Sequence, residues 1–269
     1  MKTFIHIVKQ NISHRNQIWH MAINDQKLRF AGSDLGLFWA LAKPMMYIVV
    51  FYVAISVGFR SAKDIPGVVT PYFLWLAIGL ISFFYMRDMI LGGASCYRRY
   101  KGYVTNTNTP VAIFPTIIGV SFLLIHLIMV GVGLVLSIFL GCPPSVYWLQ
   151  LPIYMAMSVL FAIFWSMATG FIAAVFNDFY NLLQVLNQAV FWLSAILFDV
   201  NGLSDKAQKV LYFNPVTFIV EGYRNSLCRH VWIWEEPVKL ACYLFMMLVM
   251  AVVAVQMYRK LRKRMPDVL

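Results

Sequence analysis

The residues able to do chemistry in this sequence are few and scattered. His6, His14, His20, His126 and His230 show no metal-ligand spacing, and no His-Glu-x-x-His occurs. The eleven acidic residues include no tight carboxylate group of the kind that holds Mg²⁺ on a diphosphate. No Gly-x-x-x-x-Gly-Lys-Ser/Thr loop is present to cradle the phosphates of ATP. Cys96, Cys142, Cys228 and Cys242 contain no Cys-x-x-Cys pair. They read as ordinary apolar residues, with a Cys142–Cys228 disulfide as the alternative. His126, alone in an apolar stretch, reads as a packed or hydrogen-bonded helix residue rather than a proton relay. The chain therefore reads as a passage without an engine, with no catalytic residue, metal or cofactor of its own.

Aromatic residues are the other chemical resource. Trp39, Tyr47, Phe51 and Tyr52 fall in one apolar stretch, and Tyr72, Phe73, Trp75, Phe83, Phe84 and Tyr85 in the next. Phe191, Trp192 and Phe198 fall in a later one. Membrane-interface belts and helix packing account for such rings in general. The functional alternative is a pore lined with aromatic faces. Sugar rings rest their C–H faces on such surfaces while their hydroxyls stay wet, and weak, interchangeable contacts suit a repetitive glycan.

The elements that must position these residues follow from composition. The 269 residues are 61% hydrophobic and 12% charged, against roughly 25% charged in soluble domains. There is too little charge to cover a soluble surface, so lipid must cover most of it. The net charge of +11 would suit nucleic acid, but the basic residues flank apolar stretches, the pattern of a membrane protein.

Apolar stretches of spanning length, about 20 residues for a 30 Å hydrocarbon core, are read at 35–58, 71–91, 111–140, 147–175, 180–198 and 237–258. This predicts an all-α integral membrane protein with six transmembrane helices. Residues 1–34 carry no apolar core before a small-residue cleavage site and read as an amphipathic interface helix. Phe4, Ile5, Val8 and Ile12 share one face of it, and Trp19, Ile23 and Phe30 extend a second. Residues 35–269 form the membrane domain. Within it, a short helix is expected around Ser95–Tyr103 in a polar loop. Lys43 and Pro44 sit inside the first span, the lysine placed to snorkel and the proline to kink. Arg87 and Asp88, adjacent on a helix and about 100° apart, read as poor partners for each other. Residues 199–236 are too charged to span and too apolar to be a free loop. They read as short amphipathic helices dipping back into the outer leaflet.

Basic residues set the orientation. Five lie in the N-terminal segment, three in the 92–110 loop and five in the tail, thirteen in all, against six in the opposite loops. The heavier side is cytoplasmic, which places both termini in the cytoplasm of a multi-pass protein of the inner or cytoplasmic membrane.

The run KLRFAGSDLGLFWALAKP, Lys27 to Pro44, resembles the lead-in motif of ABC-2 type permeases that export polysaccharides. Its matching residues are Arg29, Phe30, Ser33, Leu35, Gly36, Trp39 and Pro44. Asn214-Pro215 with Glu221 and Arg224 is similar to the family's stretch before the last span, and Asp178 to its Arg-Asp pair, with Asn177 where the family has arginine.

The resemblance implies a homodimer served by two separate ATP-binding cassette subunits, which carry the ATP and Mg²⁺. It implies ATPase contacts on the interface helix and on the short helix holding Tyr97, Arg98, Arg99, Tyr100 and Lys101, a solvated basic patch. It implies gate helices in the outer segment holding Asn214, Pro215, Glu221 and Arg224. The implied cargo is a lipid-diphosphate-linked glycan such as O-antigen, teichoic acid, or a cell-wall or capsular polysaccharide. Trp39, Tyr47, Phe51, Trp75, Phe83, Phe84, Tyr85, Phe191, Trp192 and Phe198 would then line its channel. Arg29, Arg98 and Arg99 are placed to meet the diphosphate, since arginine offers bidentate donors. A drug or lipid permease of the same fold is one alternative. An intramembrane lipid-modifying enzyme is another, but it needs clustered acids or histidines that the sequence lacks.

Overall fold

The computed structural model describes residues 2–58, 70–262 and Met265; Arg60, Lys63, Lys263 and Arg264, counted above for orientation, lie outside the described residues. Among the described residues the chain is all-α. Five helices are long and apolar enough to cross a membrane. They are α3 (Phe38–Gly58), α4 (Tyr72–Ala94), α7 (Phe114–Phe139), α8 (Leu151–Val175) and α12 (Pro237–Leu261). The stretch read as span five forms a shorter helix, α9 (Asn177–Leu193), of 17 residues.

The N-terminal segment is two helices, α1 (Lys2–Ser13) and α2 (Arg15–Arg29). The turn at His14 is shallow, because His14 N–H still donates to Gln10 O and Ile18 N–H to His14 O. Ile18, Ala22, Asp25 and Gln26 are the buried residues of α2. Their i, i+4, i+7, i+8 spacing makes one face, and α2 packs on α7. Phe4, Ile5, Val8, Ile12 and Trp19 stay exposed, with the Phe4 ring 6.4 Å from that of Phe164 on α8.

Helix α4 is the axis of the fold. Seventeen of its residues are buried, and α7, α8, α9, α3 and α11 (Pro215–Arg224) all pack on it. Small residues let these helices approach. A Cβ on Gly93 would fall 1.9 Å from Ser166 Oγ and 3.2 Å from Ser166 Cα on α8.

Two short helices, α5 (Cys96–Arg99) and α6 (Lys101–Asn106), follow α4 at the end of the bundle where α1 and α2 gather, called proximal here. At the opposite, distal end lie α10 (Asp205–Tyr212) and α11, followed by a π-turn at Asn225–Arg229.

Two expectations need correction. Arg87 and Asp88 do pair, with Nη2 to Oδ1 at 2.8 Å. The long arginine folds sideways along the helix, its guanidinium 4.9 Å from the Phe84 ring centre, and its reach overcomes the angular offset. Tyr97 and Tyr100 are not part of a solvated patch. Tyr97 stacks on Phe171 at 4.5 Å and Tyr100 on Phe114 at 5.3 Å, both buried, leaving Arg99 and Lys101 exposed around them. Aromatic area is worth more inside the bundle than in water. All four cysteines are free thiols, so the optional disulfide is not formed.

Gly93→Ala should push α4 from α8 and cost about 1–3 kcal/mol, read as a lowered melting temperature of the detergent-purified protein. Gly102→Ala, where an added Cβ meets nothing within 4 Å, should leave that temperature unchanged.

Candidate functional site

Two adjoining chambers and two ionic clasps hold most of the residues singled out by sequence. The proximal chamber, about 210 Å³, lies between α2, α3, α4 and α7. Trp39, Phe84 and Tyr85 supply rings to it, and Arg29, Lys43 and Arg87 face it against a single acid, Asp88. The central chamber, about 190 Å³, lies between α3, α4 and α9. Its rings are Tyr47, Phe51, Phe83, Phe84 and Phe191, and its polar residues are Arg87, Asn187 and Gln188. Phe84 and Arg87 line both chambers, so the two meet there. Phe191 stands 5.2 Å from Phe51 and 5.3 Å from Phe83, closing one wall.

Seven of the ten rings expected in a channel thus line these chambers. Trp75 does not: it is fully buried beneath Arg224, a partner 149 residues away that the sequence did not announce. Trp192 is exposed, with its edge against Phe191. Phe198 is half-buried beside the distal clasp. His126 lines the proximal chamber, but its Nε2 is hydrogen-bonded to the Tyr223 hydroxyl at 2.7 Å. That is the packed, hydrogen-bonded role expected of it.

The proximal clasp is centred on Asp25, which sequence reasoning missed. It is only 3% exposed. Its carboxylate accepts from Arg29 Nε at 2.9 Å, Arg99 Nε at 2.7 Å, the Tyr100 hydroxyl at 3.2 Å and Ser121 Oγ at 2.5 Å. One side chain therefore ties α2 to α5, to the residue opening α6, and to α7. Gln26 Nε2 adds a bond to Ser121 Oγ at 3.0 Å. Burial lowers the Arg29 guanidinium from its ordinary value and Asp25 resists the shift; the group stays charged. Both arginines spend only Nε on Asp25, and Arg29 Nη2 is buried with no partner among the described residues. The signal for Asp25 was its place on the same helical face as Ile18 and Ala22, a periodicity hidden by the charge.

The distal clasp is centred on Arg224, which has no solvent exposure. Its guanidinium donates to the carbonyls of Trp75 at 3.3 Å, Ala195 at 2.6 Å and Ile196 at 2.6 Å, and to Glu221 at 3.0 Å. It lies 3.3 Å from the Trp75 ring centre, and Gly79 leaves it room, since a Cβ there would sit 2.4 Å from Nη2. Ala195 adopts φ +54°, a strained value for a residue with a side chain, at the turn whose carbonyls meet Arg224. Arg229 pairs with Glu221 and Asp199, so two cations face two acids and the network is neutral. Asn214 holds the other side: its Oδ1 caps Val216 N–H at 3.0 Å while its Nδ2 donates to Leu193 O at 3.1 Å. Pro215 then opens α11, where a missing N–H costs nothing. Burial alone would raise the Glu221 carboxyl, but Arg224 and Arg229 outweigh it and hold it below its ordinary value.

Asp25→Ala should leave two arginines without their partner and destabilise by about 1–3 kcal/mol. That is less than the 3–5 kcal/mol of a fully buried pair, because Arg99 is a third exposed. Arg224→Met should cost about 3–5 kcal/mol, because Glu221 and Asp199 would then share the single cation Arg229. Both are read as melting shifts in detergent. The stability that Glu221 contributes is complete above its unfolded value, about 4.3, and is lost as pH falls through the lower folded value. Melting temperature should therefore drop as pH falls below about 4.3, and Glu221→Gln should flatten that drop.

Residues 16–228 match the family model described as ABC-2 type transporter. The chain is 22% identical to the O-antigen export system permease protein RfbA of Myxococcus xanthus, over 84% of this chain and 85% of that protein. It is 20% identical to the O-antigen export system permease protein RfbA of Klebsiella pneumoniae, over 91% and 92%. Similarity to the polysialic acid transport protein KpsM of Escherichia coli is 22%, over 76% of this chain and 78% of that protein. With most of its length inside the family model and several helices able to cross a membrane, this chain belongs to the ABC-2 type transporter family as a multi-pass permease subunit.

Proposed function

We propose that the chain is the permease of an ABC exporter that moves a lipid-diphosphate-linked polysaccharide from the cytoplasm to the outer face of the membrane. The observation that carries this reading is the pair of joined chambers, one rich in cations and the next in aromatic rings. Lys43 and the Nη2 of Arg29, which Asp25 leaves without a partner among the described residues, suit a diphosphate, with Arg87 beside them held by Asp88. The rings of the central chamber suit the sugars that follow it. The relatives named for O-antigen and polysialic acid transport support the same cargo class.

The rest of the arrangement follows. Helix α9, at 17 residues, is the shortest length that still crosses hydrocarbon and completes six spans. The proximal end then faces the cytoplasm with both termini, and the distal clasp holds the gate outside. The exposed face of Phe4, Ile5, Val8 and Ile12 lies in the membrane interface, so residues 1–34 form an interface segment that precedes the transport domain. Power comes from two separate ATP-binding subunits, with ATP and Mg²⁺, which press on α5, α6 and the N-terminal helices. Their stroke reaches Arg29 through Asp25. A second copy of the chain completes the conduit.

Deleting the gene should abolish surface glycan and leave lipid-linked glycan inside the cell, and the wild-type gene should restore export. Arg29→Ala and Arg87→Ala should each lower restored export by about tenfold at normal membrane level, the share of one charge-assisted contact. Unchanged surface glycan in the deletion strain would overturn the reading.

A further inference from the structure

Helix α9 carries a feature that neither the family nor the aromatic rings explain. Asn181, Gln184 and Gln188 recur at i, i+3 and i+7, with Asn187 beside them and Phe191 next on the same face. The opposite face shows Leu182, Leu186 and Leu193, all exposed. The charged residue of α9 is Asp178, in its first turn. A row of neutral carboxamides therefore runs along a helix whose other side suits lipid.

Carboxamides facing hydrocarbon are costly, so the row must meet water, cargo or protein. Its far end opens into the central chamber, where Asn187 and Gln188 stand beside Arg87 and the wall of Phe83, Phe84 and Phe191. Asn187 Oδ1 is buried there with no hydrogen-bond partner among the described residues. A buried orphan acceptor calls for a donor. Each carboxamide offers two donors and one acceptor oxygen, a set that matches hydroxyl groups, which both give and take hydrogen bonds. The chamber's 190 Å³ exceeds the roughly 150 Å³ of a cavity that holds one benzene, room for one ring-sized group at a time.

We propose that the amide row of α9 is a sugar track. Asn187 and Gln188 read the hydroxyls of one glycan ring while Phe83, Phe84 and Phe191 bear its faces, and Asn181 and Gln184 continue the polar path along the helix. This rests on the glycan-export reading and names the residues that set its sugar preference. A lipid tail would gain nothing from carboxamides, and an anionic group would be served by Arg87 alone.

The test uses the deletion strain complemented with full-length variants, with the cell's own glycan as probe. Surface glycan is quantified on intact cells and lipid-linked glycan in membrane extracts. The double variant Asn187→Leu/Gln188→Leu keeps bulk and removes hydrogen bonding. It should lower surface glycan at least about tenfold and raise the retained pool, because a site built for hydroxyls then presents methyls. The single variants Asn187→Ala and Gln188→Ala should each lose about threefold or more, which covers failure of the double variant to insert. Leu186→Ala, on the opposite face, should export normally. Wild-type export by the double variant would show that the chamber takes an apolar group and would overturn the proposal. So would a monomer on sizing chromatography where the wild-type chain runs as a dimer, since the carboxamides would then belong to the subunit contact. Failure of the wild-type gene itself to restore glycan would instead remove the export reading on which the track rests.

Discussion

A guanidinium cannot be left bare in a bundle of apolar helices, and Arg224 is the case that organises the distal half of this protein. Its charge is tolerated because three backbone carbonyls, one carboxylate and one indole face converge on it. Each partner constrains a different element. Trp75 is on α4, Glu221 on α11, and Ala195 and Ile196 form the turn that ends α9. The strained backbone at Ala195 is held by those same bonds, which is how a sparsely populated conformation persists. Gly79 completes the seat by being too small to collide.

Asp25 plays the matching part at the proximal end with the opposite sign. One buried acid gathers donors from α2, α5 and α7 and from the residue that opens α6. Movement of the α5–α6 segment cannot leave Arg29 undisturbed, because Arg99 and Tyr100 share its carboxylate. Arg29 in turn faces the proximal chamber. The arrangement offers the proposed coupling a concrete route through one side chain. Between the two clasps lies α4, which is buried along most of its length and carries Arg87 where the chambers join.

The polar groups of the membrane domain fall into two classes. Those in the clasps are paired and hold elements in place. Those at the chambers, Lys43, Asn187 and Gln188, line open volume beside aromatic rings, and Arg29 and Arg87 do both, each pairing with an acid while facing a chamber. Polar groups at membrane depth are costly and are kept where they face a cavity or each other.

Much of this was legible in the sequence because lipid imposes a simple rule. A helix that crosses it must be apolar for about 20 residues, so α3, α4, α7, α8 and α12 were visible as hydropathy alone. The lack of nucleotide motifs was equally plain in the residues, as was the resemblance to the ABC-2 type family. What the sequence could not show was which polar residues would be buried. Asp25 went unremarked among the charges of the N-terminal segment, and Trp75 looked like one more channel ring. Their fates depend on partners such as Ser121 and Arg224, which lie 96 and 149 residues away. Burial of charge is decided by the simultaneous arrival of several donors or acceptors. That coincidence exists only in three dimensions, so the tertiary structure alone could choose between solvated patch, chamber wall and clasp.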